Sequence, residues 1–130
     1  MIDGANIFTV PGTTIRSIPF HKRREARLWF GQEIGAQYRA LQVQGKIKNL
    51  GDLASRAKID LALLANLMGG KETHSRATVE RLTRLASALV CEFVPRQGGE
   101  ERECEGSVTL EELLALGIRP TLEPVIEPDQ

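Results

Sequence analysis

The chain has 130 residues, about one domain's worth. Its 42% hydrophobic and 26% charged residues match a soluble globular protein, which excludes a whole-chain disordered polymer, a collagen or a coiled coil. Seventeen basic and seventeen acidic side chains sum to zero, but they are not mixed along the chain.

No apolar run approaches the ~18 residues of a membrane helix. The segment MIDGANIFTV lacks the basic region and long apolar core of a secretion signal. A cytoplasmic protein is therefore expected. Cys91 and Cys104 are too few for a disulfide scaffold, and with only two histidines no zinc site is expected. They read as reduced thiols, Cys91 buried and Cys104 solvated.

Residues 16–96 hold fifteen Lys/Arg against seven Asp/Glu, a net of +8. Residues 97–130 hold two basic side chains against nine acids, a net of −7. Such asymmetry suggests a polyanion-binding body with an acidic tail. Punctuation agrees. Pro11, Gly12 and Pro19 mark an irregular arm over residues 1–20, and Gly98-Gly99 opens a polar link. Pro120, Pro124 and Pro128 punctuate an extended end. The reading is an arm (1–20), a folded body (21–96) and an acidic tail (97–130).

In chain order, Phe30, Ile34, Tyr38 and Leu41 form one face of a helix that begins near His21–Arg24 and ends before Gly45. Asn49 caps a second, short helix with Leu53, Ala54 and Ala57 on its apolar face. After a break at Lys58-Ile59, Asp60 caps a third helix, Leu61–Met68, which stops at Gly69-Gly70. Residues 71–77 read as a polar loop. Thr78 or Ser75 caps a fourth helix with Val79, Leu82, Leu85, Ala86 and Leu89 on one face. Residues 90–94 read as a short strand ending at Pro95, and residues 14–18 as another with which it can pair. In the tail, Thr109 and Glu112 form a capping box before Leu113, Leu114 and Leu116, with Gly117 as the stop. So short a helix needs a surface to pack on: its own core, a sister subunit or another protein.

Two short helices joined by a tight turn inside a helical bundle make a helix-turn-helix. Ile34-Gly35, Arg39, Leu53-Ala54, Ile59, Leu64, Leu67, Gly70, Leu85-Ala86 and Ala88-Leu89 together resemble the lambda-repressor/Cro-like (XRE) family of DNA-binding domains. The likeness covers roughly residues 30–90. It implies a mainly α fold, a lambda-repressor-like bundle of four to five helices, to which the sequence adds short flanking strands and the acidic tail. It also implies a homodimer on double-stranded DNA, with the third helix in the major groove. Carried over by position, Leu61, Ala62 and Asn66 face bases. Leu50 and the loop from Gly69 to Arg76, with Lys71, Thr73, His74 and Arg76, face phosphates. Leu50 stands where the family commonly has glutamine, Lys58 where it often has glycine, and the loop after Gly70 is about three residues longer than usual.

From charge alone, Lys46 and Lys48 in the link to the second helix are further phosphate contacts. Lys22, Arg23 and Arg24, at the start of the first helix, are candidates for phosphate or minor-groove contact. The third helix is unusually apolar, and only Asn66 within it carries a base-reading amide. It therefore admits two readings: direct readout, with Leu61 and Ala62 against thymine methyls, or an apolar surface for a protein partner. The tail adds a possible docking segment, or a tethered polyanion that competes with DNA for the basic body. There is no Walker loop, dinucleotide fingerprint, HExxH or GxSxG, so no enzyme and no cofactor are expected. The expected protein is a cytoplasmic, nucleoid-associated transcriptional regulator. Its alternative is a protein-interaction module, antitoxin-like or binding a transcription component.

Overall fold

The computed structural model describes residues 20–97, 100–101 and 103–126. The expected strand at 14–18 and most of the N-terminal arm lie outside the described residues. The chain runs α1 (Phe20–Val43), α2 (Leu50–Ala57), α3 (Leu61–Met68), α4 (Val79–Ala88), β1 (Cys91–Gln97), β2 (Glu100–Glu101), α5 (Leu110–Ala115) and β3 (Arg119–Pro124). It is mainly helical, with a small antiparallel sheet in the order β2-β1-β3.

Local signals set the helix ends. Asn49 accepts from the Asp52 N–H at 2.9 Å, while the Asp52 carboxylate accepts from the Lys48 N–H at 3.1 Å. That backbone bond, with Arg56 one turn on, holds the Asp52 carboxyl below its ordinary range. Thr78 caps α4 by accepting from Arg81 N–H. Thr109 caps α5, and its hydroxyl donates to the Glu112 carboxylate at 3.3 Å. The α5 stop is a Schellman turn: Gly117 has φ +80, and Ile118 N–H returns to the Leu113 carbonyl at 2.8 Å.

The buried side of α1 presents Phe30, Ile34 and Leu41 to Leu53, Leu63, Leu64, Leu67, Leu82 and Leu85. Gly31 lets α1 and α3 touch along their backbones. A Cβ there would lie 2.5 Å from the Leu67 carbonyl oxygen and 2.6 Å from that of Met68.

The separate acidic tail is corrected. Leu110, Leu114 and Leu122 belong to the same buried cluster as Phe30 and Ile34, and Leu113 and Ile118 pack with Val79. The connection is also hydrogen-bonded: Leu110 N–H donates to the Ala77 carbonyl at 2.7 Å and Val79 N–H to that of Val108 at 2.8 Å. Of the three hosts open to the tail helix, α5 packs on its own core. Two tail acids pair with basic residues of the body, Glu111 with Arg27 and Glu123 with Arg96.

The strand also differs from expectation. β1 runs on through Pro95 to Gln97 and pairs with β3 from Cys91↔Pro124 to Arg96↔Arg119. The prolines are accommodated by register. Leu122 N–H points off the outer edge of β3, because it donates to the Glu33 carboxylate of α1 at 3.1 Å. Strand N–H groups alternate sides, so Pro120 and Pro124 fall where the missing N–H would also point outward. Pro95 faces Pro120, so neither deprives the shared ladder of a bond. Phe93 packs edge-on to Phe30, ring centroids 6.0 Å apart.

Removal of every residue after Arg96 strips Leu110, Leu113, Leu114 and Leu122 from the core. Each buried leucine contributes roughly 1.5–3 kcal/mol. Four of them rival the whole stability of a small domain, roughly 5–15 kcal/mol. The truncated chain is expected to lose its cooperative thermal transition by circular dichroism. A transition matching that of the full chain would refute the integrated core.

Burial pushes the Glu33 carboxyl above its ordinary value of 4.5, against the opposing pull of the Leu122 N–H, Trp29 and Arg119. A raised folded-state pKa contributes stability below the unfolded value, which is lost as pH rises through the folded one. Glu33→Gln keeps an acceptor for Leu122 and removes the ionisation. The variant is expected to gain stability relative to the native chain between pH 4 and 7 in urea titrations. A difference independent of pH would contradict this.

Candidate nucleic-acid interface

Three residues, 58–60, join α2 to α3. Lys58 takes the left-handed conformation at φ 57, and Ile59 N–H returns to the Ala54 carbonyl at 3.1 Å. This is the position where a glycine is at ease, and the lysine occupies it at some strain. The turn is held from α4: Arg84 donates through Nε to the Ala57 carbonyl (3.2 Å) and through Nη2 to that of Lys58 (3.3 Å). The end carbonyls of α2 thereby gain partners that the helix itself does not supply. Sequence reasoning missed Arg84 here, since only its i,i+4 pairing with Glu80 is a local signal.

On α3, Leu63, Leu64 and Leu67 are buried, while Leu61 is 51% exposed and Ala62 and Ala65 are exposed. Asn66 is half-buried, and its carbonyl accepts from the Lys71 N–H at 3.0 Å. The solvent-facing strip is thus apolar at the start of the helix, and the one amide lies toward its far end.

Asp60 stands at the N-cap of α3 with extended backbone, but its side chain makes no capping bond. The expected cap is corrected: the carboxylate instead meets Arg76 Nη2 at 2.8 Å. Arg76 comes from the loop after α3, so the loop folds back to the helix start.

The remaining expected contacts fall into separate groups. Lys46 and Lys48 are exposed on either side of buried Ile47, at the link into α2. Lys71 and His74 are exposed beyond Gly70, and His74 takes the left-handed conformation at φ 55. Leu50, at the first position of α2, is half-buried against the core. Thr73 is corrected as a surface contact. It is 2% exposed, and its hydroxyl has no hydrogen-bond partner among the described residues. Its carbonyl accepts from Arg76 N–H at 3.0 Å, so the residue shapes the loop from within.

Lys22 and Arg24 are exposed and Arg23 is half-buried, all in the first turns of α1. At 1.5 Å per residue they lie about 30 Å along α1 from the link that carries Lys46 and Lys48. Arg23 lines a hollow with His74, Glu72, Glu111 and Glu112, which sets acids beside it. Arg27, in the same basic stretch of sequence, is 4% exposed and bonds the Gly70 carbonyl and Glu111.

Among the described residues there is no cluster of three metal-ligating side chains, and no helix is long and apolar enough to cross a membrane. Cys91 is buried, its Sγ donates to the Leu89 carbonyl, and burial together with Glu33 pushes its thiol pKa up. Cys104, expected in solvent, is half-buried against the cluster of Val79, Leu113 and Ile118.

The buried hydroxyl of Thr73 generates a test. An unsatisfied buried polar group costs roughly 1–3 kcal/mol, and valine has nearly the same shape. Thr73→Val is expected to raise stability by about 1 kcal/mol in denaturant unfolding and to leave any ligand affinity of the loop unchanged. Loss of binding in a stable variant would return Thr73 to the surface.

No protein-family model matches the chain, and neither does any curated protein or solved structure.

Proposed function

We propose that the chain is a sequence-specific DNA-binding transcriptional regulator of lambda-repressor-like fold, acting as a homodimer through the α2–α3 helix-turn-helix. One observation carries the reading. A tight three-residue turn presents Leu61 and Ala62, at the start of α3, to solvent, with exposed lysines on both sides in the chain: Lys46 and Lys48 before α2, and Lys71 after α3. None of these lysines has an ion-pair partner among the described residues. Unpaired cations before α2 and after α3 in the chain suit contacts to the phosphates that border a groove. The pairing of Asp60 with Arg76 supports it further, because it neutralises the one acid at the start of α3. Two copies then address half-sites about 34–36 Å apart.

The second reading, a protein-interaction module, draws on the apolar strip of Leu61, Ala62 and Ala65. Such a strip fits a partner helix as well as a row of thymine methyl groups.

Salt dependence separates the two. Each phosphate neutralised contributes a slope of about −0.9 in log K against log salt. The native chain is expected to bind mixed duplex DNA at low salt with a steep slope. Replacement of Lys46, Lys48 and Lys71 by Ala is expected to flatten that slope by up to about 3 units and to weaken binding alike on all sequences. Absence of duplex binding at low salt would favour the interaction module.

A further inference from the structure

We propose that Arg76 reads a guanine in the major groove and that Asp60 is the residue that positions it. The proposal rests on the DNA-binding reading of α2–α3 and names the base its reading face takes. Direct readout needs donors and acceptors that match a base edge. The exposed strip at the start of α3 offers none: Leu61, Ala62 and Ala65 are all apolar. A guanidinium nevertheless stands there. Arg76 Nη2 lies 2.8 Å from the carboxylate of Asp60, the residue just before Leu61.

Asp60 is 77% and Arg76 44% exposed. A pair so open to water contributes little to stability, so its effect is geometric. The bond takes one N–H of Nη2, so a parallel pair remains on one side or the other: the second Nη2–H with Nη1–H, or with Nε–H. Two parallel N–H groups are the fork that matches O6 and N7 of guanine. The arginine is fixed at its root as well. Its N–H donates to the Thr73 carbonyl, and its carbonyl accepts from Arg81 of α4. The next residue, Ala77, is fully buried and accepts from Leu110 N–H. The root is therefore held before any ligand arrives, and the ion pair biases the tip toward the start of α3, which lowers the ordering cost of binding.

Charge decides between a phosphate and a base. A phosphate on Arg76 sits against the Asp60 carboxylate, two like charges sharing one arginine. The neutral edge of guanine meets no such repulsion.

The test is selection of the full chain on a randomised duplex library, followed by affinity for the selected site and for mixed DNA over a range of salt. The native chain is expected to select guanine at one position of each half-site. Arg76→Lys keeps the charge and loses the fork. It is expected to lose that preference and to bind the selected site about tenfold to a hundredfold more weakly, with mixed-DNA affinity and salt slope unchanged. Asp60→Asn keeps an N-capping residue and removes the carboxylate. It is expected to blunt the same preference and to raise affinity for mixed DNA. Arg76→Lys that selects the same sites with native affinity overturns the guanine assignment and leaves DNA binding standing. A native chain that binds no duplex even at low salt overturns both.

Discussion

The rest of the structure depends on one buried charge. Arg27 of α1 sends Nε to the Gly70 carbonyl at 3.2 Å and Nη1 to Glu111 of α5 at 3.1 Å, with Glu72 4.0 Å from Nη2. A guanidinium removed from water is tolerated only when its donors are met, and an acid partner with backbone acceptance meets them here. The three contacts come from the end of α3, the loop after it and the tail helix. One side chain thus ties the first helix to the end of α3 and to a segment eighty-four residues away in sequence. Gly70 at φ +69 makes the tie possible, since a Cβ there would lie 2.6 Å from a Leu28 methyl. Removal of Glu111 would leave the buried Arg27 with one distant acid in place of a close one, which costs more than the pair contributes.

That tie explains what was legible in the sequence. The bounds of α2 and α3 were readable because their signals are local. Asn49 sits within three residues of the N–H group it caps, as Thr78 does for α4, and Gly69-Gly70 follow directly on the end of α3. Arg27 was not readable as a structural residue. It lies in a run of basic side chains and looks like surface charge until Glu111 is brought to it. Thr73 failed for the same reason: a loop hydroxyl reads as exposed, and only the closure of the loop over the core buries it. The role of Asp60 was half legible. Its position at the helix start follows from spacing, but its choice of Arg76 over the cap depends on a residue sixteen positions on.

The tail shows how non-local pairing defeats local reading. The Thr109 cap, the Gly117 stop and the leucines of α5 were all plain in the sequence. β3 was hidden because Pro120 and Pro124 normally argue against a strand. They are compatible with one only at an edge, with their missing N–H groups turned outward, and that depends on a register fixed by β1. Glu33 then takes the one outward N–H between them. Two prolines and one helix-borne acceptor close an edge that otherwise offers itself to other chains. The Glu33 carboxyl is held partly out of water to do so, which is the physical origin of its raised pKa.

The same folding redistributes charge in a way that the segment totals conceal. The +8 body and the −7 end are not a surface and a loose counter-ion. Every ion pair among the described residues uses an arginine, and none uses a lysine. Arginine suits that work, because its planar fork fixes geometry when it meets a carboxylate or a pair of carbonyls. Arg27 and Arg96 hold the C-terminal elements, and Arg84 holds the turn between α2 and α3. Lys46, Lys48 and Lys71 are exposed and enter no ion pair among the described residues, the state in which a cation is free to take a phosphate and release a counter-ion. A chain with no net charge thereby keeps exposed lysines outside its ion pairs. The acids that enter ion pairs among the described residues thus meet the arginines that build the frame, and the lysines are left out of those pairs.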